Sequence, residues 1–93
     1  LRMPATSRIR WYPPLDSVKG RETELVLEAP ILMGELLKRF CREDAALQRF
    51  IPAGMENGDV AGFMVLQGET LLRPTDTVEP GANLDILSAI DGG

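Results

Sequence analysis

The fold of this protein is decided by residues 33–41, which read MGELLKRFC. Apolar residues recur there with the spacing i, i+3, i+4, i+7 and i+8, and the charged residues between them fall on the opposite side. This period of 3.6 residues predicts an amphipathic helix over residues 31–43. Leu32, at the N-cap position, has no side-chain acceptor for the first free N–H groups of that helix. The stripe that would face the core consists of Met33, Leu36, Leu37, Phe40 and Cys41.

Before this helix the hydrophobic period is two, which indicates strands. Residues 8–12 alternate polar and apolar side chains until Pro13-Pro14 interrupts the pattern. Residues 21–28 alternate again, with Leu25 and Leu27 on one face and Val26 on the other. The two runs predict an antiparallel hairpin around a long loop.

After the helix the period returns to two. A short helical turn at 45–50 and a loop at 52–62 precede a strand at 62–67. A turn at Gly68-Glu69 leads into a short strand, and the last strand follows the Pro80-Gly81 turn over residues 83–90. We therefore expect one α+β domain, residues 1–93, in which a mixed sheet of four to five strands packs on one main helix.

Size and composition fit a single small globular domain. The chain has 93 residues, of which 44% are hydrophobic and 26% charged. The longest unbroken run of apolar residues and glycine, residues 60–66, is far too short to span a membrane. No apolar segment of a secretory signal follows the basic residues near the start. We expect a cytoplasmic protein with no membrane partner.

Two residue counts exclude whole classes of chemistry. The chain has no histidine and a single cysteine, Cys41. His-dependent nucleophiles, His-ligated or Cys-rich metal sites and internal disulfides are therefore excluded. We expect no metal, no bound cofactor, and a protein that is not itself an enzyme. Because Cys41 lies on the apolar stripe, it is predicted to belong to the core rather than to act as a sulfur relay.

Charge is distributed unevenly along the chain. Of the ten basic residues only Arg73 lies after residue 49, whereas seven of the fourteen acidic residues do. The acidic half would repel a polyanion, so we expect no nucleic-acid partner. Two interpretations stay open, a surface that docks on a basic protein and an acidic face that serves solubility.

Several short segments, combined with a final Gly-Gly, resemble the ubiquitin-like sulfur-carrier family (MoaD/ThiS). By its length the chain is similar to the molybdopterin synthase small-subunit type. The resemblance covers about residues 8–93, and it rests on the segments 11–15 (WYPPL), 33–37 (MGELL), 66–69 (LQGE), 79–81 (EPG), 84–87 (LDIL) and 91–93 (DGG).

The resemblance implies a β-grasp fold and a reactive, flexible tail at residues 91–93. In such carriers an E1-like adenylating enzyme uses ATP to activate the terminal carboxylate, and sulfur from a donor then converts the carboxylate to a thiocarboxylate. Carried over, Gly93 bears the reacting carbonyl, Gly92 supplies clearance in a narrow channel, and Asp91 precedes them in the threaded tail. The implied sulfur acceptor is a synthase large subunit or another sulfur-accepting enzyme.

A docking surface is also predicted on the sheet. If Leu84 and Ile86 face the helix, Leu87 faces solvent, and we expect Phe63 and Val65 to join it as an exposed apolar patch that binds a partner. The alternative is that a loop covers this face.

Two further functions remain open. A ubiquitin-like modifier joined to target lysines would also begin with adenylation of the terminus, and a non-reacting β-grasp interaction module would not need the Gly-Gly. The sequence does not name the final sulfur acceptor, which could be molybdopterin, tungstopterin, thiazole, cysteine or tRNA.

Overall fold

The computed structural model describes residues 4–50 and 63–88. The two predicted changes of hydrophobic period coincide with the changes from strand to helix and back. In chain order the elements are β1 (Ala5–Trp11), α1 (Asp16–Lys19), β2 (Glu22–Leu27), β3 (Ile31–Leu32), α2 (Met33–Glu43), a 3₁₀ helix (Ala45–Phe50), β4 (Phe63–Gln67), β5 (Thr70–Leu72), β6 (Thr77–Val78) and β7 (Asn83–Ser88).

Five of the strands form one mixed sheet in the order β2-β1-β7-β4-β5. β1 and β7 run parallel, and the other neighbours in this sheet are antiparallel. β3 and β6 pair separately as a small two-stranded sheet. The prediction of an α+β fold with a mixed sheet and one main helix is confirmed. The last described strand, β7, lies in the centre of the sheet, where hydrogen bonds hold it on both sides.

Helix α2 packs its predicted apolar stripe against the inner face of the sheet. All five residues of that stripe are buried, together with Gly34. From the sheet, Ile9, Val65 and Ile86 meet them with at most 1% of their surface exposed. The ring of Phe40 lies edge-on to that of Trp11, with the ring centroids 5.3 Å apart. This contact joins the helix to the first strand.

The start of α2 is capped by backbone rather than by a side chain. The N–H of Met33 donates to the Asp76 carbonyl at 2.8 Å, and the N–H of Gly34 donates to the Pro74 carbonyl at 3.0 Å. A Cβ at Gly34 would lie 3.1 Å from the Pro74 Cβ and 3.2 Å from its carbonyl oxygen. The glycine is therefore required by the close approach of the loop that supplies the missing cap.

The loop between β1 and β2 contains a short helix that periodicity did not predict. Leu15 is fully buried beneath it. At its end the Lys19 ammonium lies 5.7 Å from the centroid of the Trp11 ring and 5.4 Å from that of Phe40, and it pairs with Asp44 at 3.7 Å. These contacts tie the first loop to the end of α2.

Other boundaries differ modestly from those predicted. The helix begins at Met33, because residues 31–32 are taken up by β3. The last strand is described as far as Ser88, so the predicted extension to Ile90 lies outside the described residues. The predicted loop at 52–62 lies outside them as well.

Candidate functional site

The predicted reactive tail begins three residues after Ser88, the last described residue of strand β7. Asp91, Gly92 and Gly93 themselves lie outside the described residues. Ser88, the last described residue, pairs with Phe63 of β4. From there the remaining five residues span at most about 18 Å when fully extended. The segment that leads to the terminus therefore starts from the central strand of the sheet, which is paired on both sides.

The end of the sheet from which this segment continues also carries the first loop. The N–H of Tyr12 donates to the Ile86 carbonyl at 3.0 Å, and its hydroxyl donates to the Asp85 carboxylate at 3.2 Å. A shallow pocket of about 470 Å³ lies beside it, lined by Arg10, Trp11, Tyr12, Pro13, Asp16, Arg21 and Glu22. The residues that line this pocket include both arginines and acidic residues.

Two of the three predicted docking residues are on the wrong face. Phe63 is 6% exposed and Val65 is 1% exposed, so both belong to the core. The reason is the register of β4 against β7, in which Val65 lies opposite the fully buried Ile86. Residues directly opposite in antiparallel strands share a face, so Val65 follows Ile86 inward.

Leu87 does lie on the outer face, where it is half-buried, and it has different neighbours from those predicted. Met64 is directly opposite it, and Leu66 pairs in turn with Leu71 of β5. Met64 is 40% exposed and Leu71 is 53% exposed. We call Met64, Leu66, Leu71 and Leu87 the outer patch. Sequence alone missed three of its members. Met64 and Leu66 lie in the run FMVL at 63–66, which shows no alternation that would assign its faces, and the strand of Leu71 is too short to show one.

The turn between β4 and β5 brings the two halves of the outer patch together. Gly68 has a φ of 63°, whereas no other residue type in the described part has a positive φ. A positive φ at only the first central residue of a two-residue hairpin is typical of a type II′ turn. This turn sets Leu66 opposite Leu71.

Charged residues of both signs border the outer patch. In the register of the sheet, Arg8 lies beside Asn83, and Arg10 lies beside Asp85, which is also opposite Leu66. The outer face therefore combines arginines from the basic half of the chain with an acid from the other half. A basic docking partner stays a prediction.

Cys41 lies where the helical stripe placed it. Its side chain is buried, with 7% of the residue exposed, and burial raises the pKa of the thiol. A thiol held in its neutral form inside the core is a poor nucleophile.

Other candidate chemistry is absent from the described ranges. Residues 4–50 and 63–88 hold no cluster of three or more His, Cys, Asp or Glu side chains that could bind a metal. Within the same ranges no helix has the length and apolar character needed to cross a membrane.

Comparison with known proteins supports the fold at the level of structure. No family profile and no curated protein matches the chain significantly. The crystal structure of SAMP1 from Haloferax volcanii superposes with a TM-score of 0.71 at 18% identity, covering 96% of this chain and 100% of that one. A crystal structure of H. volcanii small archaeal modifier protein 1 gives 0.70 at 18% identity, covering 92% and 99%.

A third similar structure is the solution structure of the Haloferax volcanii HVO 2177 protein. Its TM-score is 0.71 at 18% identity, and the match covers 97% of this chain and 88% of that one. Matches of this extent at such low identity are evidence for the fold alone. Together with the mixed sheet and its single main helix, they show that this chain has the β-grasp fold of the ubiquitin-like proteins.

Proposed function

We propose that this chain is a sulfur-carrier protein whose terminal carboxylate, on Gly93, is adenylated by an E1-like enzyme and converted to a thiocarboxylate. The observation that carries the proposal is the sequence Asp91-Gly92-Gly93, which begins three residues after the last described residue of the central strand of a β-grasp sheet. The chain is then a co-substrate, and the activating partner supplies the catalytic groups and uses ATP.

The chemistry accounts for the residues in the tail. A carboxylate is a poor electrophile, so it must first become a mixed anhydride with AMP. Sulfur from the donor then attacks the carbonyl carbon of this anhydride, and AMP leaves. The carboxylate has to enter the active site of the partner for this step. Residues without a Cβ fit a narrow channel and adopt any backbone conformation that it requires. The central strand ahead of the tail fixes the point from which the last five residues extend.

The outer patch supplies a docking surface for the activating enzyme. Leu87 lies on the strand that continues into the tail, and Met64 lies directly opposite it. An enzyme that receives Gly93 therefore has to approach this end of the sheet. Exposed apolar side chains bordered by charged ones are typical of interaction surfaces. In this proposal Met64, Leu66 and Leu71 replace Phe63 and Val65 as the contacts beside Leu87.

The resemblance to the molybdopterin synthase small subunit supports a molybdopterin precursor as the final sulfur acceptor. In that case the thiocarboxylate is delivered to a synthase large subunit. A purified large subunit that converts the precursor only when the thiocarboxylate form of this chain is added would test this assignment.

A second candidate function is protein modification through an isopeptide bond. It is favoured by the name of one similar structure, a small archaeal modifier protein. The only lysines that could extend a chain of copies are Lys19 and Lys38. The Lys19 side chain is 15% exposed and its ammonium lies over two aromatic rings, whereas the Lys38 side chain is 33% exposed and pairs with Glu35 at 3.2 Å. Self-conjugation would therefore favour Lys38.

Adenylation is the step that both candidates share, and it is tested by ATP–pyrophosphate exchange with an E1-like enzyme. Deletion of Gly93 shortens the reach of the tail by about 3.3–3.6 Å. Because a misplacement of ~1 Å can cost about a hundredfold in rate, we expect exchange to fall below detection. Gly92→Val should do the same through its bulk and restricted dihedrals. Full exchange with both variants would contradict the proposal.

A further inference from the structure

Strand β2 forms one edge of the main sheet, and half of its backbone groups have no strand partner in the described part of the chain. The N–H of Trp11 donates to the Arg21 carbonyl at 2.9 Å, and the register continues from this pair as Ile9 with Thr23. Hydrogen-bonded pairs alternate along an antiparallel ladder. Thr23, Leu25 and Leu27 therefore bond to β1, and the N–H and C=O groups of Glu22, Glu24 and Val26 point away from the sheet.

This edge is longer and less protected than the opposite one. β2 has six residues and β5 has three. Proteins usually block an exposed edge with a proline, charged side chains (lysine above all), a bulge or a very short strand. Of these devices β2 has the charge of two glutamates. The sequence of β2, ETELVL, contains neither proline nor lysine, and its pairing with β1 runs without a bulge over all six residues.

A groove lies at the end of this edge, on the side of the helix. It has a volume of about 500 Å³, and its walls include Leu27, Pro30, Ile31 and the side chain of Arg39 from α2. Leu25, the preceding residue on the inner face of β2, is partly buried and packs against the core. Apolar side chains of an added strand would extend this surface.

On the other face, the acidic side chains belong to the edge strand itself, and arginines lie behind them on β1. Glu22 lies opposite Arg10 and Glu24 lies opposite Arg8 in the register with β1. No ion pair within 4.0 Å joins either carboxylate to another residue in the ranges 4–50 and 63–88. Both carboxylates are exposed and available to a cation on a neighbouring strand.

We propose that the β2 edge binds an extended segment of a partner protein as a sixth strand, with basic side chains alternating with apolar ones. The basic residues lie over Glu22 and Glu24, and the apolar residues lie on the inner side, against Leu25 and the groove. The period of two follows from the alternation of faces along any strand. Pairing of two β2 edges is disfavoured, because an antiparallel dimer would set these carboxylates against each other.

The test uses a synthetic peptide of alternating lysine and valine, as long as β2, titrated into the full ¹⁵N-labelled chain. We expect the amide signals of Glu22, Glu24 and Val26 to shift most, since theirs are the N–H groups of β2 that β1 leaves unbonded. The same peptide with glutamate in place of lysine should not bind. Shifts concentrated on the outer patch, or equal binding of both peptides, would overturn the proposal.

Two variants give the matched comparison. Val26→Pro removes an outward N–H that β1 does not use, so the sheet should keep its fold while binding weakens by about tenfold or more. Leu71→Pro is the control on the other edge and should bind the peptide like wild type. Equal binding by Val26→Pro and wild type would contradict the proposal. So would β2 amide shifts that appear only with rising protein concentration, because a second copy would then be the occupant.

Discussion

At the scale of single residues, Cys41 carries the only thiol in the chain, and its surroundings argue against a role in sulfur relay. It lies on the buried side of α2, and burial raises the pKa of its thiol. As the pH rises through the ordinary range of thiol pKa values, the Cys41 thiol therefore ionises first in the unfolded chain. The native thiol stays neutral there, and the free energy of unfolding falls in that window.

We expect iodoacetamide to alkylate Cys41 far more slowly in the native protein than in denaturant. Alkylation of the native protein should stay slow as the pH approaches the ordinary thiol pKa. Cys41→Ala should lower the free energy of unfolding by about 1 kcal/mol and leave thiocarboxylate formation unchanged. Rapid native alkylation, together with loss of sulfur loading in Cys41→Ala, would establish a relay instead.

At the scale of elements, the start of α2 depends on a glycine that no helix propensity would favour. In an ordinary helix interior, alanine in place of glycine stabilises by about 1 kcal/mol. Here the new Cβ would meet the Pro74 backbone and side chain at 3.1–3.2 Å, at the carbonyl that caps the helix.

Gly34→Ala should therefore lower the free energy of unfolding, by about 1–3 kcal/mol, because the cap loop has to move away from the helix. Denaturant titration measures the change. Glu35→Ala, at the next and exposed position, is the control, and its effect should stay within about 0.5 kcal/mol. An increase in stability for Gly34→Ala would show that the loop relaxes freely.

The outer patch is the second feature at this scale. Met64→Asp and Leu87→Asp should each raise the KM of the E1-like enzyme for the carrier by roughly tenfold or more, since each places a charge in an apolar interface. Leu32→Asp alters an exposed apolar residue that lies outside the outer patch and outside the β2 edge, so its KM should match wild type. Thermal melting distinguishes a lost docking contact from a loss of stability, because a raised KM with an unchanged Tm indicates that the residue contacts the enzyme. A large fall in Tm for Met64→Asp with unchanged KM would instead make the patch structural.

At the scale of the whole molecule, the sequence predicted the elements well and their mutual placement less well. The change of period between strand and helix located α2 and the long strands, because apolar periodicity follows from which face is buried. Burial of Phe63 and Val65 was not predicted, since the face of an all-apolar run depends on its partner strand. The two-residue strands β3 and β6 are too short to show any period. The requirement for glycine at position 34 follows from the close approach of Pro74, and that approach is known only from the structure.

The predicted site divides in the same way. The tail glycines and their chemistry were proposed from the sequence and its family resemblance, and these residues lie outside the described ranges. The membership of the outer patch and the free β2 edge required the register of the sheet. Sequence patterns thus indicate what each segment is, whereas pairing decides which side chains meet.

The central claim, that Gly93 carries sulfur, is tested most directly by the intact mass of the wild-type chain. The chain is incubated with an E1-like adenylating enzyme and a sulfur donor, with and without ATP. We predict an ATP-dependent gain equal to the replacement of one oxygen by sulfur, absent when Gly93 is deleted. Conjugates on lysines in place of this gain would show a modifier. An unchanged mass beside an enzyme proven active on another carrier would contradict the account and leave a non-reacting interaction module.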